Sequence, residues 1–75
     1  MRGRAPGGGA PAGPVEITSE SVQRGDVIQI GGRPCRVIDL LQLPGGAKRL
    51  WFESGELLTM HSRTRLVALR VLRRW

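Results

Sequence analysis

The chain has 75 residues, eleven Arg and one Lys against six Asp and Glu, and a net charge of +6. A single domain of this size buries only about 60% of the surface its unfolded chain exposes, which leaves little room for a deep active site. One cysteine, Cys35, excludes an internal disulfide, and no apolar run approaches the roughly 18 residues of a membrane span.

The charge balance favours an anionic partner, nucleic acid first, because the Arg guanidinium makes bidentate contacts with phosphate. The competing explanation is a coding bias that writes Arg in place of Lys. Arg2 and Arg4 have no apolar segment behind them, so a signal peptide is not expected. Cys35 sits inside an apolar run and reads as a small buried hydrophobe in a reducing cytoplasm. No His or Lys stands near it in sequence to activate it as a nucleophile.

Residues 1–14 are dominated by Gly, Pro and Ala and have no apolar period. Such a segment cannot offset its ordering entropy, so a disordered, weakly basic tail is expected, dispensable for stability. The domain is expected over 15–75. Residues 15–18 alternate apolar and polar, as an edge strand or an extended lead-in. Residues 19–23 suggest a turn of helix capped by Ser19 or Ser21. Arg24-Gly25-Asp26 has the letters of an adhesion motif, but Gly-Asp before a strand is ordinary turn chemistry.

The first core strand is expected over 27–30, with Ile28 and Ile30 inward and Val27 on the other face. Gly31-Gly32 signals a tight hairpin, since both residues accept positive φ. Pro34 then opens the second strand, where its missing N–H does least harm. Cys35 and Val37 share a parity with Asp39, so keeping Leu40 inward requires a change of parity. A bulge or strong bend is expected near Ile38 and Asp39.

Pro44-Gly45-Gly46 makes the next turn. In the third strand Leu50 and Phe52 point inward, while Arg49, Trp51 and Glu53 point outward. After Ser54-Gly55 the fourth strand, 56–61, turns Leu58 and Met60 inward and Leu57, Thr59 and His61 outward. Residues 62–64 suit a single helical turn. The last strand, 65–72, is apolar on both faces, which leaves its register open, and 73–75 read as a frayed end. The expected core is Val37, Leu50, Phe52, Leu58 and Met60.

Five short strands, tight turns, a bend in the second strand and one helical turn before the last resemble an SH3-like barrel. The expected fold class is therefore all-β, a small five-stranded antiparallel barrel. Gly25, Gly32, Pro34 and Val37, followed by Pro44-Gly45-Gly46-Ala47, are similar to the N-terminal barrel of elongation factor P. They resemble KOW-type domains of ribosomal and transcription proteins more loosely. The similarity covers about residues 23–53. It implies a barrel of the kind used to contact RNA or ribosomal protein. The chain departs from elongation factor P at the loop tip, where that family carries a lysine. Here the tip is Pro44-Gly45-Gly46-Ala47, and Lys48 lies past it on the next strand. The family's two further barrels have no counterpart in these residues, which argues against a complete translation-factor role.

Catalysis has little support. His61 is the sole histidine, and a lone His on an outward position is usually a surface residue. No carboxylate pair, metal-ligand cluster, phosphate loop or nucleophile motif stands out, so neither enzyme nor cofactor is expected. Two binding readings remain. In the first, Lys48, Arg49, Trp51, His61, Arg63 and Arg65 form a basic face that contacts nucleic acid or the ribosome. The cations track phosphates while Trp51 stacks on a base. In the second, Trp51 and Leu57 form an apolar patch for a protein partner or a second copy. The domain is then a monomer or a weak homo-oligomer, and no membrane role is expected.

Overall fold

The computed structural model describes residues 12–71 as six strands and one short 3-10 turn. The strands are β1 Ala12–Ile17, β2 Val27–Ile30, β3 Arg33–Gln42, β4 Lys48–Phe52, β5 Leu57–Met60 and β6 Leu66–Val71. They form one antiparallel sheet in the order β1-β6-β2-β3-β4-β5. The fold is thus all-β, as expected, with two differences. The lead-in is a full strand, β1, which makes six strands rather than five. The sheet is not closed, because β1 and β5 stand at its two edges.

Residues 12–14 of the expected tail belong to β1, where they pair with Val71, Arg70 and Leu69. The rest of the tail, 1–11, and the frayed end lie outside the described residues. No helix among the described residues is long and apolar enough to cross a membrane.

The two hairpins at either end of β3 follow from glycine. Gly31 and Gly32 have φ of 59° and 80°, so two residues suffice to reverse β2 into β3. The register then sets Val27 opposite Arg36 and Ile28 opposite Cys35. At the other end, Pro44–Gly46 forms the 3-10 turn, closed by Leu43 N–H donating to Ala47 C=O at 2.9 Å. Gly46 has φ 80°, and a Cβ there would press on Ser62 Cβ at 3.3 Å. Ser19, buried, donates its hydroxyl to Gly46 C=O at 2.6 Å. One loop from each part of the chain therefore meets at this end of the sheet. The turn before β6 is closed by Thr64 N–H donating to His61 C=O at 3.0 Å and is a β-turn rather than a turn of helix.

The bend in β3 falls where the apolar pattern requires it. Val37 pairs with Phe52 and Asp39 with Trp51, so the register shifts across Ile38. Cys35 and Val37 are buried before the shift and Leu40 is packed against the core after it. The extra residue, Ile38, is 50% exposed. A bulge of this kind bends the strand and lets one strand serve both halves of a curled sheet.

The buried core is Ile17, Val22, Ile28, Cys35, Val37, Leu50, Phe52, Met60 and Ala68. Four of the five expected core residues are in it, and Leu58 packs against its margin. Ile30 lies at the same margin.

The register of β6 resolves against the simple count of apolar residues. Leu66, Ala68 and Arg70 face inward, while Val67, Leu69 and Val71 are exposed. Ala68 is small enough to sit between Val15 of β1 and Ile28 of β2. Arg70 is on that face because Asp26 is. Arg70 Nε donates to Asp26 Oδ1 at 2.8 Å and Nη2 to Oδ2 at 2.9 Å. Asp26 is 1% exposed and also accepts from Gln23 N–H at 2.9 Å. Such a buried bidentate pair is strongly destabilising to break from one side, by about 3–5 kcal/mol.

Candidate nucleic-acid interface

Strand β4 decides which of the six candidate side chains share a face. Side chains alternate along a strand, and residues directly opposite in neighbouring strands lie on the same face. Arg49 and Trp51 therefore point to the outer side of the sheet, opposite the face of Leu50 and Phe52. The row through Trp51 runs Asp39, Trp51, Leu57, and the row through Arg49 runs Leu41, Arg49, Thr59. Trp51 is partly buried rather than free in solvent, as is Arg49. Leu57 at 55% and Leu41 at 47% exposure flank the pair. This face is mixed: one ring, one guanidinium and two exposed leucines.

Lys48 does not join them. It has the parity of Leu50 and Phe52 and stands opposite Met60 at the start of β4. His61 follows Met60 directly, and Arg63 occupies the turn closed onto His61. Lys48, His61 and Arg63 thus gather at the end of the sheet where Gly46, Ser19 and Ser62 meet. Trp51 lies two residues along β4 from Arg49, a separation of about 7 Å. Arg65 leads from that turn into β6, two residues after Arg63, so it borders the same loop end on the side of β1. The six residues form two adjoining groups, rather than one flat patch.

The ion pairs separate the cations cleanly. All six carboxylates of side chains lie among the described residues. Arg24 pairs with Asp39 at 3.2 Å, Arg33 with Glu56 at 3.6 Å and Arg70 with Asp26 at 2.8 Å. Among the described residues, Arg36, Lys48, Arg49, Arg63 and Arg65 have no carboxylate within 4.0 Å. Asp39, beside Trp51, is held below the ordinary carboxylate range. The larger cause is Leu40 N–H, which donates to Oδ1 at 2.9 Å, and the next is the Arg24 guanidinium. Glu53 is exposed, makes no ion pair among the described residues and lies just beyond Trp51 on the same strand parity.

Two cations on the outer side escaped the sequence reading. Arg36 alternates with buried Cys35 and Val37 and is exposed, which its parity already signalled. Arg24 is brought beside the Trp51 row by Asp39, fifteen residues away, and no local pattern signals that.

Among the described residues, no three His, Cys, Asp or Glu side chains come together as a metal site. Cys35 is buried, and its thiol donates to Glu56 Oε1 at 3.4 Å. No protein-family model, no curated protein and no solved structure matches this chain.

Proposed function

We propose that this domain is a non-catalytic binding module that contacts single-stranded nucleic acid, RNA first. Its surface is the outer face of β4 and the adjoining loop end. The observation that carries this reading is the division of cations. Arg70 is locked by a buried carboxylate, Arg24 and Arg33 make single exposed contacts with Asp39 and Glu56, and among the described residues Lys48, Arg49, Arg63 and Arg65 have no carboxylate within 4.0 Å. Arg49 stands two residues before Trp51 on the same face of β4, so a phosphate contact and one stacking ring lie within one or two nucleotides of each other. The partial resemblance to the barrel of elongation factor P and to KOW-type domains points the same way, towards RNA or the ribosome and a cytoplasmic setting. Labelled single-stranded RNA and duplex DNA, titrated at two salt concentrations, test it. Affinity that falls steeply with salt is the expected result, because bound cations displace counterions from the backbone.

A second reading has its own observation. Leu41, Leu57 and Ile38 are each about half exposed around Trp51, and an apolar surface of this sort suits a protein partner or a second copy. In that case binding does not weaken with salt.

A further inference from the structure

A cleft of about 440 Å³ is lined by Gln23, Arg24, Gly25, Asp26, Arg36, Arg70 and Val71, and it borders the Trp51 row through Arg24, which reaches Asp39. It sits where β6 ends and β2 begins, so Arg65 and the loop cations are at the opposite end of β6. Its volume falls in the range of small-molecule sites, about 300–1,000 Å³, and far exceeds a bare ion.

Its electrostatics are one-sided. The lining contains one carboxylate, and that carboxylate is fully engaged. Asp26 accepts from Arg70 Nε and Nη2 and from Gln23 N–H. Arg70 Nη2 also donates to Ser21 C=O at 2.9 Å, which fixes the guanidinium as a rigid wall. Asp26 and Arg70 cancel in charge, and Asp26 is 1% exposed, so an entering anion meets little repulsion. Arg36 remains, exposed and, among the described residues, without a carboxylate within 4.0 Å. Arg24 remains in part, since its contact with Asp39 uses one nitrogen at 3.2 Å on an exposed surface. Exposed pairs of that kind exchange readily for a better anion. The Gln23 amide adds a neutral donor, and Val71 an apolar wall.

We propose that this cleft binds a phosphate monoester of nucleotide size, with Arg36 and Arg24 on the phosphate oxygens. A tetrahedral phosphate accepts from several directions at once, and guanidinium forks supply paired donors. The space beyond the phosphate holds the group that carries it. Neither Arg49 nor Trp51 lines this site. The same chemistry is offered by a free nucleotide and by the terminal phosphate of an oligonucleotide.

The test is an NMR titration of the full chain with AMP, with adenosine and with oligoadenylates bearing a 5′-phosphate or a 5′-hydroxyl. AMP should shift the Arg36 and Arg24 Nε–H signals, and adenosine should not. Arg36→Gln should weaken AMP binding by about tenfold or more, the loss expected for a charge-assisted contact. Its melting temperature should match the parent, since the side chain is exposed. A phosphorylated oligonucleotide that binds more tightly than AMP assigns the site to a nucleic-acid end, and the reverse order assigns it to a free nucleotide. Arg49→Gln should leave AMP affinity unchanged, because Arg49 stands between Leu41 and Thr59 and outside the cleft lining, so failure of RNA binding at β4 does not touch this result. The proposal is overturned if millimolar AMP shifts neither arginine, if adenosine binds as AMP does, or if Arg36→Gln binds AMP like the parent.

Discussion

Phe52 is 1% exposed and heads the fully buried side chains by size, opposite Val37 in the adjacent strand. Phe52→Ala removes a ring that nothing nearby replaces, and should cost about 3–5 kcal/mol by urea denaturation. That is a large share of the stability of a domain this small. A loss under about 1 kcal/mol would contradict the packing described, since a buried Phe is not that cheap to delete. Asp39 supplies a test in pH. Its folded pKa is depressed below 3.8, so the stability it contributes is present above that value and is lost as pH falls through the folded pKa. In Arg24→Ala the Asp39 carboxyl should titrate higher than in the parent, yet still below 3.8, because the Leu40 N–H is the larger cause. An unmoved titration by carboxyl NMR would show that the Arg24 contact is absent in solution. At this scale the alternation of β4 and β5 made Leu50, Phe52 and Met60 readable as core. Asp26 was not readable. It looked like turn chemistry because its partner, Arg70, is 44 residues away.

Strand β3 shows which element features a sequence carries. Its parity conflict between Val37 and Leu40 forced a bulge, and the register shift falls there. Strand β6 shows the opposite case. Three of its four large apolar residues, Val67, Leu69 and Val71, are exposed, and of the four only Leu66 packs against the core. Its inward face is set by the small space at Ala68 and by the demand of Asp26 for Arg70. Neither can be read from the strand alone. Strand β1 was underestimated because Ala12, Gly13 and Pro14 have tail-like composition, and only pairing with β6 makes them a strand. Deleting residues 1–14 removes half of β1 and the pairs to Leu69, Arg70 and Val71. The melting temperature should therefore fall, by about 4–8 °C for each kcal/mol lost in a domain of this size. An unchanged melting temperature would mean that the start of β1 contributes nothing.

The whole molecule is a strongly basic sheet whose intramolecular ion pairs leave five of its described cations unengaged. Net charge was legible at once. The distribution was not, because it depends on which carboxylates reach which arginines across the fold. Nor was the division of the candidate site into an outer face and a loop end, since Lys48 and Arg49 are neighbours in sequence but point to opposite faces of β4. In the function proposed, Arg49 and Trp51 hold single-stranded RNA by phosphate contact and stacking. The most direct measurement is the salt dependence of RNA affinity in the parent, Arg49→Gln and Trp51→Ala, with thermal melts of all three. Arg49→Gln should weaken binding to every sequence and reduce the slope of log K against log salt by about one. Trp51→Ala should cost about 1–3 kcal/mol of binding at low salt while the domain stays folded, with a modest loss of stability from the partly buried ring. RNA binding that is absent at low salt, or that is present but indifferent to salt and to both substitutions, would contradict the account.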